Sequence, residues 1–202
     1  MSLDINTLNL PARLLGAFFY YTPDSAVTTD LKPALEQIDS LFAWSNLATI
    51  DLLCKRLKDN VNDPELGYQY SVLFEGQGFM PAPPWGSVYL DKENLLMGES
   101  TLRYRQFLHQ HHIAIQTGMN EPEDQFGLML MALALLIEGE QIAAAKTLIS
   151  DHIMTWAPRY LELLSQTDIS PFYQALAIIA NEYLSHLVTE FGLIIPKHYL
   201  YK

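Results

Sequence analysis

The chain has 202 residues, of which 50% are hydrophobic and 17% charged, so it can bury a full core and is not a disordered segment. Its 12 Lys plus Arg against 23 Asp plus Glu leave a net charge of −11. That balance argues against nucleic acid as a partner and suits a cationic peptide, although acidity also serves plain solubility. The lone cysteine, Cys54, excludes an internal disulfide and a cysteine-based zinc site, and fits a reducing compartment. The first residues lack the basic and apolar regions of a secretory signal. The longest apolar run, residues 126–137, is 12 residues long, too short to cross a bilayer. The expectation is a soluble cytoplasmic protein with no membrane insertion.

In chain order, nearly every segment carries a helical period, and none shows the alternation of a half-buried strand. Leu10, Leu14, Ala17, Phe18 and Tyr21 share one face of a first helix, which Pro23 ends. A second helix is predicted over about 31–42. A third follows, capped by Ser45, with Ile50, Leu53, Cys54 and Leu57 on one side. Asp63-Pro64-Glu65 starts a fourth helix, which carries Tyr68, Val72 and Leu73 and fades at Gly76. Residues 76–86 form a loop rich in glycine and proline, the one candidate hinge, with Phe79 and Trp85 expected to pack down. Residues 87–90 read as a short extended piece. A helix from Glu99 or Ser100 to about His111 carries Leu102, Tyr104, Phe107 and Leu108. Next comes a helix from near Asn120 to about Gly139, apolar nearly all round and so central to the core. Helices over 140–153, after Trp156-Ala157-Pro158, and over 171–191 complete the chain, followed by a tail without period. The fold class is all-α: a single globular domain of eight to ten helices spanning residues 1–202.

Three stretches invite a chemical reading. Glu121-Pro122-Glu123-Asp124 places carboxylates at the mouth of the central helix. The plain reading is a capped helix start, because helix N-termini favour negative charge. The functional reading is a cluster that receives guanidinium groups; a carboxylate-dependent hydrolase using Glu121, Glu123 and Asp124 is a further option. His109, His111 and His112 could bind metal, with His109 and His112 on one helix face, but a polar helix end explains them better. Pro83-Pro84-Trp85-Gly86 is either a rigid connector with a tryptophan plug or one wall of an apolar peptide groove. No phosphate loop and no nucleophile elbow are present, and Cys54 reads as core. Composition and spacing alone stop at an acidic, all-helical domain with no evident active site. A generic helical adaptor also remains open.

Taken together and in order, the motifs go further. Residues 83–91 (PPWGSVYLD), 98–102 (GESTL) and 120–127 (NEPEDQFG) resemble the TorD/DmsD family of molybdoenzyme maturation chaperones. The likeness extends to residues 12–21 (ARLLGAFFYY) and 171–176 (PFYQAL). It covers nearly the whole chain and is weakest over 22–66. The resemblance implies an all-helical fold, no catalysis and no cofactor of its own. It implies binding of the twin-arginine signal peptide of a molybdoenzyme catalytic subunit, held back from Tat export until the molybdopterin cofactor is inserted. The members that serve dimethyl sulfoxide reductase are the most similar, with a trimethylamine N-oxide reductase client as the alternative and the Tat translocase as a further partner. By position it implies a leader pocket of Leu73, Phe74, Pro84, Trp85, Gly98, Glu121, Pro122, Asp124 and Gln125, with Tyr20 and Arg13 from the first helix. The family motif usually carries histidine after the aspartate. Here Gln125 stands in that place, and it donates and accepts hydrogen bonds without titrating near neutral pH.

Overall fold

The computed structural model describes residues 5–92, 96–115 and 121–202. Ten α-helices follow one another: α1 (Ile5–Tyr20), α2 (Ala26–Leu35), α3 (Leu47–Asn60), α4 (Leu66–Phe74), α5 (Gly86–Leu90), α6 (Glu99–Gln110), α7 (Phe126–Glu138), α8 (Ile142–Thr147), α9 (Ala157–Ser165) and α10 (Pro171–Glu190). A π-helical turn, Leu148–Ile153, continues α8. Among the described residues there is no strand, only one isolated bridge, between Trp85 and Gln125. The all-α expectation holds.

α7 is the axis of the core. Ten of its residues, from Phe126 to Ile137, are buried, as its all-round apolar sequence requires. α1 lies antiparallel along it. Asn9 and Arg13 meet Glu138 at one end, and Phe19 meets Gln125 at the other. The close approach depends on two glycines. A Cβ on Gly127 would stand 2.6 Å from the Gly16 carbonyl oxygen, and one on Gly16 would stand 2.9 Å from that of Gly127. α10 packs against α3 and α9 with Phe172, Leu176, Ile179, Ala180, Tyr183 and Leu187 buried in one stripe and Phe191 half-buried at its end. One hydrophobic cluster draws on all ten helices.

Several local expectations are corrected. α2 starts at Ala26, earlier than read, because Ser25 accepts from the Thr28 N–H and caps it. α3 is capped by Asn46, whose Oδ1 accepts from the Thr49 N–H, while Ser45 bonds His186 instead. Leu10, Tyr68 and Leu102 face solvent, and Leu66, Tyr70 and Phe74 join Leu73 on the buried side of α4. Phe79 does not pack down: it is 83% exposed, with the Lys202 ammonium 5.8 Å from its ring. Residues 87–90 are helical, not extended. α6 ends at Gln110, so His112, with φ of 56°, does not share a helix face with His109. No group of histidine, cysteine or acidic residues among the described ones is placed to hold a metal. α7 begins at Phe126, after the acidic motif rather than within it; Asn120 lies outside the described residues.

Candidate functional site

The two sequence motifs meet at the bridge. The Phe126 N–H donates to the Pro84 carbonyl at 2.8 Å, and the Gly86 N–H donates to the Asp124 carbonyl at 3.1 Å. These bonds tie the tryptophan loop to the entry of α7. Pro84 and Pro122 are both buried there, and the Pro122 carbonyl accepts from the Gln125 N–H, closing a turn. Proline fixes the backbone on both sides, so the junction is rigid before any ligand arrives.

The Gln125 side chain clamps the start of α7 to the end of α1. Its Oε1 accepts from the Leu128 N–H at 3.0 Å, capping α7, and its Nε2 donates to the Phe19 carbonyl at 2.9 Å. Both ends of one amide are used, which a residue with separate donor and acceptor allows and a carboxylate does not. The side chain that replaces the family's usual histidine therefore has a structural task that needs no titration.

On one side of the bridge lies a groove of about 320 Å³. Five of the sequence-derived residues line it: Tyr20, Phe74, Trp85, Glu121 and Gln125. Four more, Tyr70, Glu75, Gly76 and Met80, were not legible as site residues, since they belong to no motif. The signal that could have found them is position: they flank Leu73-Phe74 and the glycine that ends α4 with φ of 74°. Tyr70 donates its hydroxyl to the Tyr20 carbonyl and so ties α4 to the end of α1. Trp85 Nε1 donates to Glu121 Oε1 at 2.6 Å, which fixes the indole and the carboxylate relative to each other. Burial pushes the Glu121 pKa up, the Trp85 bond pulls it down, and Asp124 pushes it up further. Across the groove, Glu75 accepts from the Ser71 hydroxyl at 2.6 Å and stays exposed. The groove thus combines aromatic walls with two carboxylates.

The remaining expected residues lie elsewhere. Leu73 is fully buried in the core and does not line the groove. Gly98 is the N-cap position of α6, where the absent side chain leaves room for Asp91 to accept from the Ser100 N–H and hydroxyl. Arg13 pairs with Glu138 at 3.1 Å. It lies mid-way along α1, about 9 Å by helix rise from Phe19, where Gln125 meets that helix, and it does not line the groove. Asp124 is 3% exposed. Its Oδ2 accepts from the Ser87 N–H at 2.7 Å and the Thr101 hydroxyl at 3.0 Å. The acidic motif does not converge on a reaction centre. Glu121 faces Trp85, Glu123 forms a two-bond pair with Arg105 at 2.8 and 2.7 Å, and Asp124 is enclosed. A paired-carboxylate hydrolase needs two carboxylates on one substrate bond, and these three have three separate partners.

Comparison with known proteins agrees with this arrangement of motifs. The family described as "Nitrate reductase delta subunit" matches residues 28–162. A protein of Haemophilus influenzae named "Probable Tat proofreading chaperone DmsD" is 38% identical over 98% of each chain. One of Salmonella typhi named "Tat proofreading chaperone DmsD" is 37% identical over 92% of this chain and 90% of its own. A Vibrio cholerae protein named "Chaperone protein TorD" is 33% identical over 59% of each.

Proposed function

The chain belongs to the TorD/DmsD family of molybdoenzyme maturation chaperones, and from that premise we propose that its groove holds the twin-arginine signal peptide of a molybdoenzyme catalytic subunit. It is a binding protein, not an enzyme. The observation that carries the reading is the groove itself. An apolar floor of Phe74, Tyr70 and Met80 lies beside the paired Trp85 and Glu121. A twin-arginine leader has two adjacent arginines followed by an apolar segment. Glu121 and Glu75 offer carboxylates to the first, and the aromatic walls take the second. A groove of about 320 Å³ admits a few side chains, so the rest of the leader lies along the surface.

Affinity divides unequally. A buried charge-assisted bond to arginine is worth about 1.5–3 kcal/mol, and an exposed one about 0–1. Glu121 is half-buried and Glu75 exposed, so the apolar wall carries most of the binding and the arginines set direction. The client we propose is a dimethyl sulfoxide reductase leader. The DmsD relatives match over nearly the full chain, the TorD relative over little more than half. The chaperone works in the cytoplasm, delays Tat export until the cofactor is in place, and then passes the leader to the translocase.

The test is fluorescence anisotropy with a labelled dimethyl sulfoxide reductase leader beside its twin-alanine version. Saturable binding to the first, weakened about tenfold or more in the second, is the expected result. Trp85→Ala should weaken the twin-arginine leader more than Glu121→Gln does, with circular dichroism confirming both folds. Equal binding to the two leaders would remove the arginine reading, and no binding to either would remove the groove assignment.

A further inference from the structure

We propose that Asp124 is a positioning residue for leader binding: it holds α5 and α6 to the bridge so that Trp85 and Glu121 face the groove, and it does not touch the leader's arginines. This rests on the groove being the leader site. Along an extended pair, consecutive side chains point to opposite faces. Trp85 and Gln125 line the groove. Gly86 and Asp124, their neighbours in the bridge, line a separate cavity of about 50 Å³ with Tyr104, His152 and Trp156. Asp124 therefore looks away from the leader.

The cavity behind the bridge is a poor seat for a guanidinium. It has room for about one or two waters. Arg103 and Asp151 both line it and offset each other's charge, so it is the small volume that keeps an incoming guanidinium out. What Asp124 does there is visible in its bonds. α5 has no capping side chain of its own, because its N-cap residue is Trp85. Asp124 Oδ2 takes that place from 37 residues away, by accepting from the Ser87 N–H at 2.7 Å. The same oxygen accepts from Thr101 in the first turn of α6. Its other oxygen, Oδ1, is buried with no partner, as is the Tyr104 hydroxyl, and Tyr104 is 1% exposed. The position uses a hydrogen-bond acceptor and leaves half of the carboxylate unused.

An acceptor does not have to be charged. In Asp124→Asn the amide oxygen can take both bonds, and the NH₂ replaces Oδ1, which has no partner to lose. Asp124→Ala removes the acceptor altogether. Anisotropy should place Asp124→Asn within about threefold of wild type and Asp124→Ala about tenfold or more weaker. The alanine loss should be the same for twin-arginine and twin-alanine leaders, whereas the Glu121→Gln loss should appear only with twin-arginine. Thr101→Val, which removes one bond and no charge, should weaken both leaders equally, and it carries the test with Asp124→Asn if the alanine variant does not fold. Without ligand, acrylamide quenching reads the same positioning, since Trp44 and Trp156 are buried and Trp85 is the accessible indole. Asp124→Ala should expose Trp85 and Asp124→Asn should not. An asparagine variant as weak as alanine, with a loss that vanishes on the twin-alanine leader, would overturn the proposal in favour of direct arginine contact. If wild type binds neither leader, the groove reading fails by itself, and unchanged quenching in Asp124→Ala or Thr101→Val would then sink the positioning role separately.

Discussion

At His152, burial acts on a group whose ordinary pKa lies near neutral pH. Its ring lies 5.4 Å from Tyr104 and 4.9 Å from Phe107, centroid to centroid. Burial disfavours its charged form and takes its pKa from 6.5 to about 4, against a pull upward from Asp151 and with a push downward from Arg103. The folded state stays neutral where the unfolded chain takes up a proton. Stability from this residue is therefore complete above pH 6.5 and declines as pH falls towards 4. Linkage sets the loss between pH 7 and pH 5 at about 2 kcal/mol. Urea denaturation at those two pH values should show it in wild type and not in His152→Gln. An equal pH response in the variant would place the acid sensitivity elsewhere. Glu123 acts in the same direction at lower pH. The Arg105 bond holds its carboxyl below the usual value, so its contribution is present above 4.5 and fades as pH falls through the lowered pKa.

At the scale of elements, the site depends on how closely α1 and α7 approach. Gly16 and Gly127 let the two backbones touch, and that contact sets the reach from Gln125 to the Phe19 carbonyl. A methyl group on Gly127 has backbone, not a flexible side chain, in its way, so the helices must part. Gly127→Ala should cost about 2–3 kcal/mol and weaken leader binding, because the Gln125 clamp goes with it. Gly67 is the control. It lies inside α4 with nothing within 4 Å of an added Cβ. Gly67→Ala should stabilise by about 0.5–1 kcal/mol through helix propensity. Denaturation followed by circular dichroism measures both. Like signs for the two changes would contradict the close-approach account.

For the whole molecule, charge governs how a leader arrives. The net charge of −11 gives a field that attracts a basic peptide before any contact forms. Salt screens that field over about 8–10 Å near physiological strength, while the short bonds in the groove are less affected. Stopped-flow mixing should find the association rate for a twin-arginine leader falling roughly tenfold from 20 to 300 mM salt. The dissociation rate should change much less, and the twin-alanine leader should show a shallower slope. A salt-independent association rate would mean that the net charge serves solubility alone.

The amino-acid sequence by itself determined the all-helical class, the central place of α7, the buried stripe of α10 and the two motifs that build the site. The helical features are set by local period and composition, which act within one or two turns of chain, and the two motifs stood out together through their resemblance to a known family. Tertiary structure decided the rest. Residues 87–90 carry no helix signal of their own, and become α5 where Asp124 caps the Ser87 N–H. Trp85 was equally a plug or a wall until Glu121 received its N–H beside an open groove. Tyr70, Glu75 and Met80 joined the site because α4 and its loop fold back towards Trp85. Asp124 and Glu121, three residues apart in one motif, were sent to opposite sides of a two-residue bridge. Which face a side chain takes in an extended pair follows from its partner strand, and that partner lies some forty residues away.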